Sequence, residues 1–246
     1  MNNNIQQIEC YTFEFTNLGF LGTQFDESQL KPIRDEVNGI YKNNFNDSVN
    51  FNSELAGNIE HQYMLTKCVP YLNDLLTPLI KKYNEETSYV DFMNKSSHQT
   101  ESNLVLDKVW AIFQKKHEFN PPHVHWGVIS FVLWLDIPYD IKDEMSASSS
   151  CNSAINIPGH FQFLYNDAIG RIATCNIPTD KTYCGKVLIF PSSMTHAVYP
   201  FKTSDGIRIS VSGNLKWNTN SNSPKNDNKN NGIKEQIEKS VYKYYD

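Results

Sequence analysis

Residues 119–140 read FNPPHVHWGVISFVLWLDIPYD and set two histidines, His123 and His125, directly before an apolar run of Val, Ile, Phe, Leu and Trp. In extended backbone successive side chains alternate faces, so imidazoles two positions apart point the same way. Pro121 and Pro122 stiffen the entry to this strand and set its start. Two nitrogen donors on one strand suit a metal at the mouth of a β-barrel. Taken alone, the pair reads more readily as polar residues where a strand emerges into water.

The β-prone texture extends outward from this stretch. LVLDKVWAIFQ, GVISFVLWLDI, HFQFLYND, GKVLIFPSS, THAVYPF and IRISVSGNLKW are short strand-like runs separated by turn-rich PYDIKDE, NIPG, PTDKTYCG and KTSDG. Many short strands at this spacing indicate a sandwich or barrel, not alternating βα units. The expected fold is mainly β with flanking helices, around a jelly-roll core over 104–216. Trp110, Phe113, Phe131, Trp134, Phe161, Phe163 and Phe190 are the aromatic residues expected to fill the barrel and its outer face.

Residues 1–103 read as a mixed α/β extension packed on that core. DESQLKPIRDEVNGIYKNNF opens on the N-cap Asp26 and spaces Leu30, Ile33, Val37 and Ile40 as one helix face; TKCVPYLNDLLTPLIKKYNEE does the same with Leu72, Leu75, Leu76, Leu79 and Ile80. Residues 217–232 are Asn-rich and expected to be a disordered linker, and 233–246 a short C-terminal helix.

Composition bounds the rest. A net charge of −5 and a pI near 5.8 argue against general nucleic-acid binding. No apolar run reaches the length of a membrane span, and MNNNIQQIEC lacks the layout of a signal peptide. The five cysteines show no CxxC spacing and read as free thiols in a reducing compartment, the cytoplasm.

A third histidine, His196 in FPSSMTHAVYPF, can meet the first two if their strands lie side by side. Further on, Arg208, Ser210 and Ser212 alternate with Ile209 and Val211, which puts the polar set on one face. An Arg fork beside a hydroxyl suits a carboxylate at the bottom of a barrel. Gln114 and Tyr165 are candidates to face the lumen and contact a cosubstrate. His61, His98, His117 and His160 have no such support. The long small-residue loop KDEMSASSSCNSAINIPG, 143–159, is the expected lid.

The order of His-x-His, GKVLIFPSSMTHAVYPF and RISVSGN resembles the 2-oxoglutarate/Fe(II)-dependent dioxygenase superfamily, in particular members found in bacteriophages, large viruses and marine bacteria. The likeness lies in 110–140 and 185–214 and weakens before residue 100. It implies a double-stranded β-helix (jelly-roll, cupin-like) core. It also implies Fe(II) held partly by His196, and 2-oxoglutarate whose far carboxylate pairs with Arg208 and Ser210. Reaction with O2 would then hydroxylate an unidentified small-molecule or protein substrate, with release of succinate and CO2. If the chain is viral, the host cytoplasm is the place of action; the oligomeric state is left open.

The family's His-x-carboxylate motif is departed from. Its carboxylate position is His125 if the motif starts at His123, and Gly127 if it starts at His125. The first gives a ligand set of His123, His125 and His196, the preferred reading; the second leaves one place open. A three-histidine cupin-like enzyme indifferent to 2-oxoglutarate, and a non-enzymatic viral jelly-roll module, are the alternatives.

Overall fold

The computed structural model describes residues 18–46, 48–97 and 103–218. Ten strands and four α-helices follow in chain order among them. They are β1 (Leu21–Gln24), α1 (Glu27–Lys42), β2 (Gln62–Met64), α2 (Val69–Thr87), α3 (Tyr89–Ser96), β3 (Leu104–Gln114), β4 (Asn120–His123) and β5 (Ile129–Asp136). Next come α4 (Ile141–Ala147), β6 (Phe161–Asn166), β7 (Ile172–Ile177), β8 (Lys186–Pro191), β9 (His196–Val198) and β10 (Arg208–Trp217). The expected 233–246 helix and nearly all of the expected 217–232 linker lie outside the described residues, as do Cys10 and His98.

The strands form two antiparallel sheets, one ordered β1-β8-β5-β10-β3-β2 and the other β4-β9-β6-β7. From β3 to β10 the chain passes between the sheets in the order of a double-stranded β-helix, as expected. β1 and β2 extend the larger sheet at its two edges.

Strand alternation divides the core in two. Val109, Ala111 and Phe113 of β3, Leu133 of β5, Val187 and Ile189 of β8 and Val211 of β10 face outward. They pack with Leu30, Ile33 and Val37 of α1, Leu72, Leu76 and Ile80 of α2, and Tyr89 of α3. The intervening residues face the lumen, where Val132, Trp134, Phe161, Phe163, Leu188 and Phe190 form a second core. α1 starts where Asp26 and Gln29 make a reciprocal capping box.

The expected lid differs at its start. Residues 141–147 are helical, and the fully buried Glu144 of α4 accepts from the backbone N–H of Lys202 (2.9 Å) and Thr203 (2.7 Å) and from the Thr203 hydroxyl. A buried carboxylate held by three donors pins this segment to the 201–203 loop. Cys68, Cys151, Cys175 and Cys184 are free thiols.

Candidate metal centre

β4 and β9 are paired so that His123 stands opposite His196. β4 ends at His123, so His125 lies in the coil after it and strand alternation does not aim its ring. What places His125 is its backbone N–H, which donates to Ser192 O (2.9 Å) on the turn leading to β9. Ser192 is itself braced: its Oγ lies 2.9 Å from Ser130 Oγ, which donates to Asn214 Oδ1 (2.8 Å).

The three rings converge, with centroids 4.3 Å apart for His123 and His196, 4.9 Å for His123 and His125, and 5.0 Å for His125 and His196. One nitrogen from each lies within 4.8 Å of the others. His123 Nδ1 is 2.7 Å from Pro121 O and His196 Nδ1 is 2.9 Å from Met194 O. Each Nδ1 therefore donates to a carbonyl, which leaves the Nε2 lone pair free for a metal. Phe161 stacks on His196 (5.4 Å, 19°), and Trp110 lies 5.4 Å from His125.

Burial keeps all three imidazoles neutral. Desolvation lowers the pKa of each; the neighbouring His123 lowers His125 further, to about 3, and His123 and His125 together lower His196 further. The result is a neutral three-nitrogen donor set with no Asp or Glu among the residues lining the cavity. Imidazoles suit Fe(II) as well as other transition metals. Gly127 does not line this cavity. Its φ is +116°, and a Cβ there would stand 2.7 Å from Leu215 O and 3.4 Å from Ser192 Oγ.

Deeper in the same cavity lies Arg208, 2% exposed, at the start of β10. Cross-strand pairing sets Arg208 against Gln114, Ser210 against Ile112 and Ser212 against Trp110, all on the lumen face. Arg208 Nε donates to Gln114 Oε1 (3.1 Å), Nη1 to Tyr139 Oη (2.7 Å) and Gly159 O (3.1 Å), and Nη2 again to Gln114. Every one of these partners is neutral.

Gln114 thus faces the lumen and orients the guanidinium. Tyr165 does not reach it: although it shares the parity of Phe161 and Phe163, it lies near the end of β6, 39% exposed and outside the cavity lining. The phenol beside Arg208 is Tyr139, which the sequence reading missed. It follows β5 in an irregular segment, so no periodicity marks it. Gln62 and Asn120 also line the cavity and were missed.

Residues 108–214 match the model of the family described as "Putative 2OG-Fe(II) oxygenase". Among solved structures, the chain is similar to a prolyl-4-hydroxylase from Pseudomonas putida at 12% identity, covering 82% of this chain and 94% of that one, with a TM-score of 0.46. It is similar also to a Trichoplax adhaerens prolyl hydroxylase solved with a hypoxia inducible factor peptide fragment (14%, 80% and 83%, TM-score 0.46). A third is a viral collagen prolyl hydroxylase from Paramecium Bursaria Chlorella virus-1, solved with 2-oxoglutarate (12%, 80% and 94%, TM-score 0.42). No curated protein matches the sequence.

Proposed function

We propose that this protein is an oxygenase of the 2-oxoglutarate/Fe(II) superfamily in which His123, His125 and His196 hold the iron and Arg208 with Ser210 receives the far carboxylate of 2-oxoglutarate. When bound, Fe(II) with 2-oxoglutarate and O2 supplies the oxidant that hydroxylates a C–H bond of the substrate, with release of succinate and CO2.

One observation carries the reading: a guanidinium buried in the cavity that also holds the imidazoles, with only neutral hydrogen-bond partners among the described residues. An uncompensated buried cation costs several kcal/mol. A carboxylate delivered by a ligand offsets that cost. Gln114 and Tyr139 hold the guanidinium in place before the ligand arrives, so little reorganisation is needed on binding. Three neutral imidazoles leave the charge of Fe(II) uncompensated, and a dianionic cosubstrate offsets it in the way a protein carboxylate otherwise would. Val132, Trp134, Phe161 and Phe190 give the cavity an apolar wall.

Position 127 favours the three-histidine set over an open place at Gly127, because its Cβ direction leads to Leu215 O and Ser192 Oγ. Arg208 also weighs against the cupin-like alternative, which has no use for a second anion site.

The test is spectroscopic. Anaerobic addition of Fe(II) and 2-oxoglutarate should give the weak visible metal-to-ligand charge-transfer band, and His196→Ala should abolish it. Arg208→Met should keep the band but weaken 2-oxoglutarate by about 100-fold, roughly 2–3 kcal/mol for a charged hydrogen-bonded pair. Turnover of O2 without succinate would sink the reading in favour of the cupin-like enzyme.

A further inference from the structure

Two side chains of the cavity have no part in the reading above. Gln62 on β2 and Asn120 on β4 are 1% and 9% exposed, and both line the cavity that holds the imidazoles. Each keeps one buried polar atom without a hydrogen-bond partner: Gln62 Nε2, a donor, and Asn120 Oδ1, an acceptor. They come from opposite walls, since β2 is the edge of the larger sheet and β4 the edge of the smaller. Gly57 brings them together. A Cβ at that position would stand 2.1 Å from Asn120 Oδ1 and 3.3 Å from Gln62 Oε1, so the glycine leaves both side-chain tips room beside the backbone.

A buried polar atom without a partner costs about 1–3 kcal/mol, and such atoms in a cavity mark a ligand's place. 2-Oxoglutarate as a dianion brings acceptors only. It has nothing to donate to Asn120 Oδ1 in this amide orientation, so the pair as placed suits a second molecule that both donates and accepts. That molecule is neutral at this point, because no Asp, Glu or Lys lines the cavity and Arg208 serves the cosubstrate. Lys115 and Lys116, close to Asn120 in sequence, do not offer a phosphate site: Lys115 pairs with Glu60 (2.6 Å) and Lys116 with Asp205 (2.5 Å).

We propose that Gln62 and Asn120 form the recognition station for a neutral amide of the oxidised substrate, Gln62 Nε2 donating to its C=O and Asn120 Oδ1 accepting from its N–H. This rests on the oxygenase reading and names the substrate class for it.

The test uses the full chain loaded anaerobically with Fe(II) and 2-oxoglutarate. Calorimetry would measure binding of N-acetyl amino-acid N-methylamides bearing each proteinogenic side chain, against the free amino acids and thymidine. At least one amide should bind tenfold or more tightly than its free amino acid. Gln62→Met and Asn120→Leu should each weaken it at least tenfold while the 2-oxoglutarate affinity, read from the charge-transfer band, stays within twofold. Asn120→Ser, which keeps a small hydroxyl, should retain part of the affinity. A parallel fall in 2-oxoglutarate affinity would overturn the station by moving both residues to the cosubstrate subsite. So would preferred binding of thymidine, or a normal band with no amide bound. Amide binding sensitive to both substitutions in a protein lacking the band would instead keep the station and overturn the oxygenase reading.

Discussion

Gly127 sits two residues beyond His125 at a φ of +116°, with Leu215 O 2.7 Å from where a Cβ would stand. A side chain there meets backbone that cannot move without disturbing β10. Gly127→Ala should therefore cost about 1–3 kcal/mol in chemical unfolding. Gly127→Asp should cost at least as much and add no metal affinity; tighter iron binding by that variant would revive the open-place ligand set. The neighbouring phenol makes a different prediction. Tyr139→Phe removes one neutral acceptor from Arg208 and should weaken 2-oxoglutarate about tenfold in the charge-transfer titration while leaving iron affinity unchanged. Arg208, Ser210 and Ser212 were legible because a strand's period of two sorts them from Ile209 and Val211. Tyr139 and Gln62 were not, since one lies in an irregular segment and the other on a three-residue edge strand brought in from far away in sequence.

Elements were legible where their period is long and uninterrupted. α1 and α2 each repeat an apolar face over several turns, and β3 coincides with the run LVLDKVWAIFQ. β4 was obscured because Pro121 and Pro122 carry no N–H for the ladder; its pairs with β9 are broken by an irregularity between Asn120 and His123. β7 was missed because its one-sided exposure, with Ile172 turned outward, gives no apolar stripe to find. The joint between α1 and α2 rests on a contact no pattern announces. Glu36 accepts from the backbone N–H of Thr66 (2.8 Å), Lys67 (3.0 Å) and Cys68 (2.7 Å), at the entry to α2. Desolvation pushes its pKa up, but these donors together with the Cys68 thiol outweigh it and hold the carboxyl below its ordinary value. A depressed carboxyl stabilises the fold above its unfolded pKa and loses that contribution as pH falls through the folded value. Glu36→Gln should thus cost about 1–2 kcal/mol at pH 7. In urea titrations the gap between the two proteins should close as pH falls through and below the ordinary carboxylate range, and a gap that stays constant throughout acidification would exclude the charged contact.

At the scale of the molecule, the described residues before β3 and the barrel share one structure. β1 and β2 are hydrogen-bonded into the larger sheet, and α1, α2 and α3 cover its outer face in one continuous core. The lumen face of that same sheet carries Arg208, Gln114 and Trp110. Helix packing on one side and the geometry of the site on the other are therefore coupled through the thickness of a single sheet. Leu76 of α2 is fully buried in the outer core, so Leu76→Ala should cost about 2–5 kcal/mol through lost burial and the cavity left behind. If helices and barrel unfold together, far-ultraviolet circular dichroism and tryptophan fluorescence, to which Trp110 beside His125 contributes, should report coincident transitions in the parent and the variant. Both should shift by the same amount in denaturant. A first transition seen in circular dichroism alone, with tryptophan fluorescence and 2-oxoglutarate binding preserved, would show instead that the segment before β3 unfolds on its own and leaves the site intact.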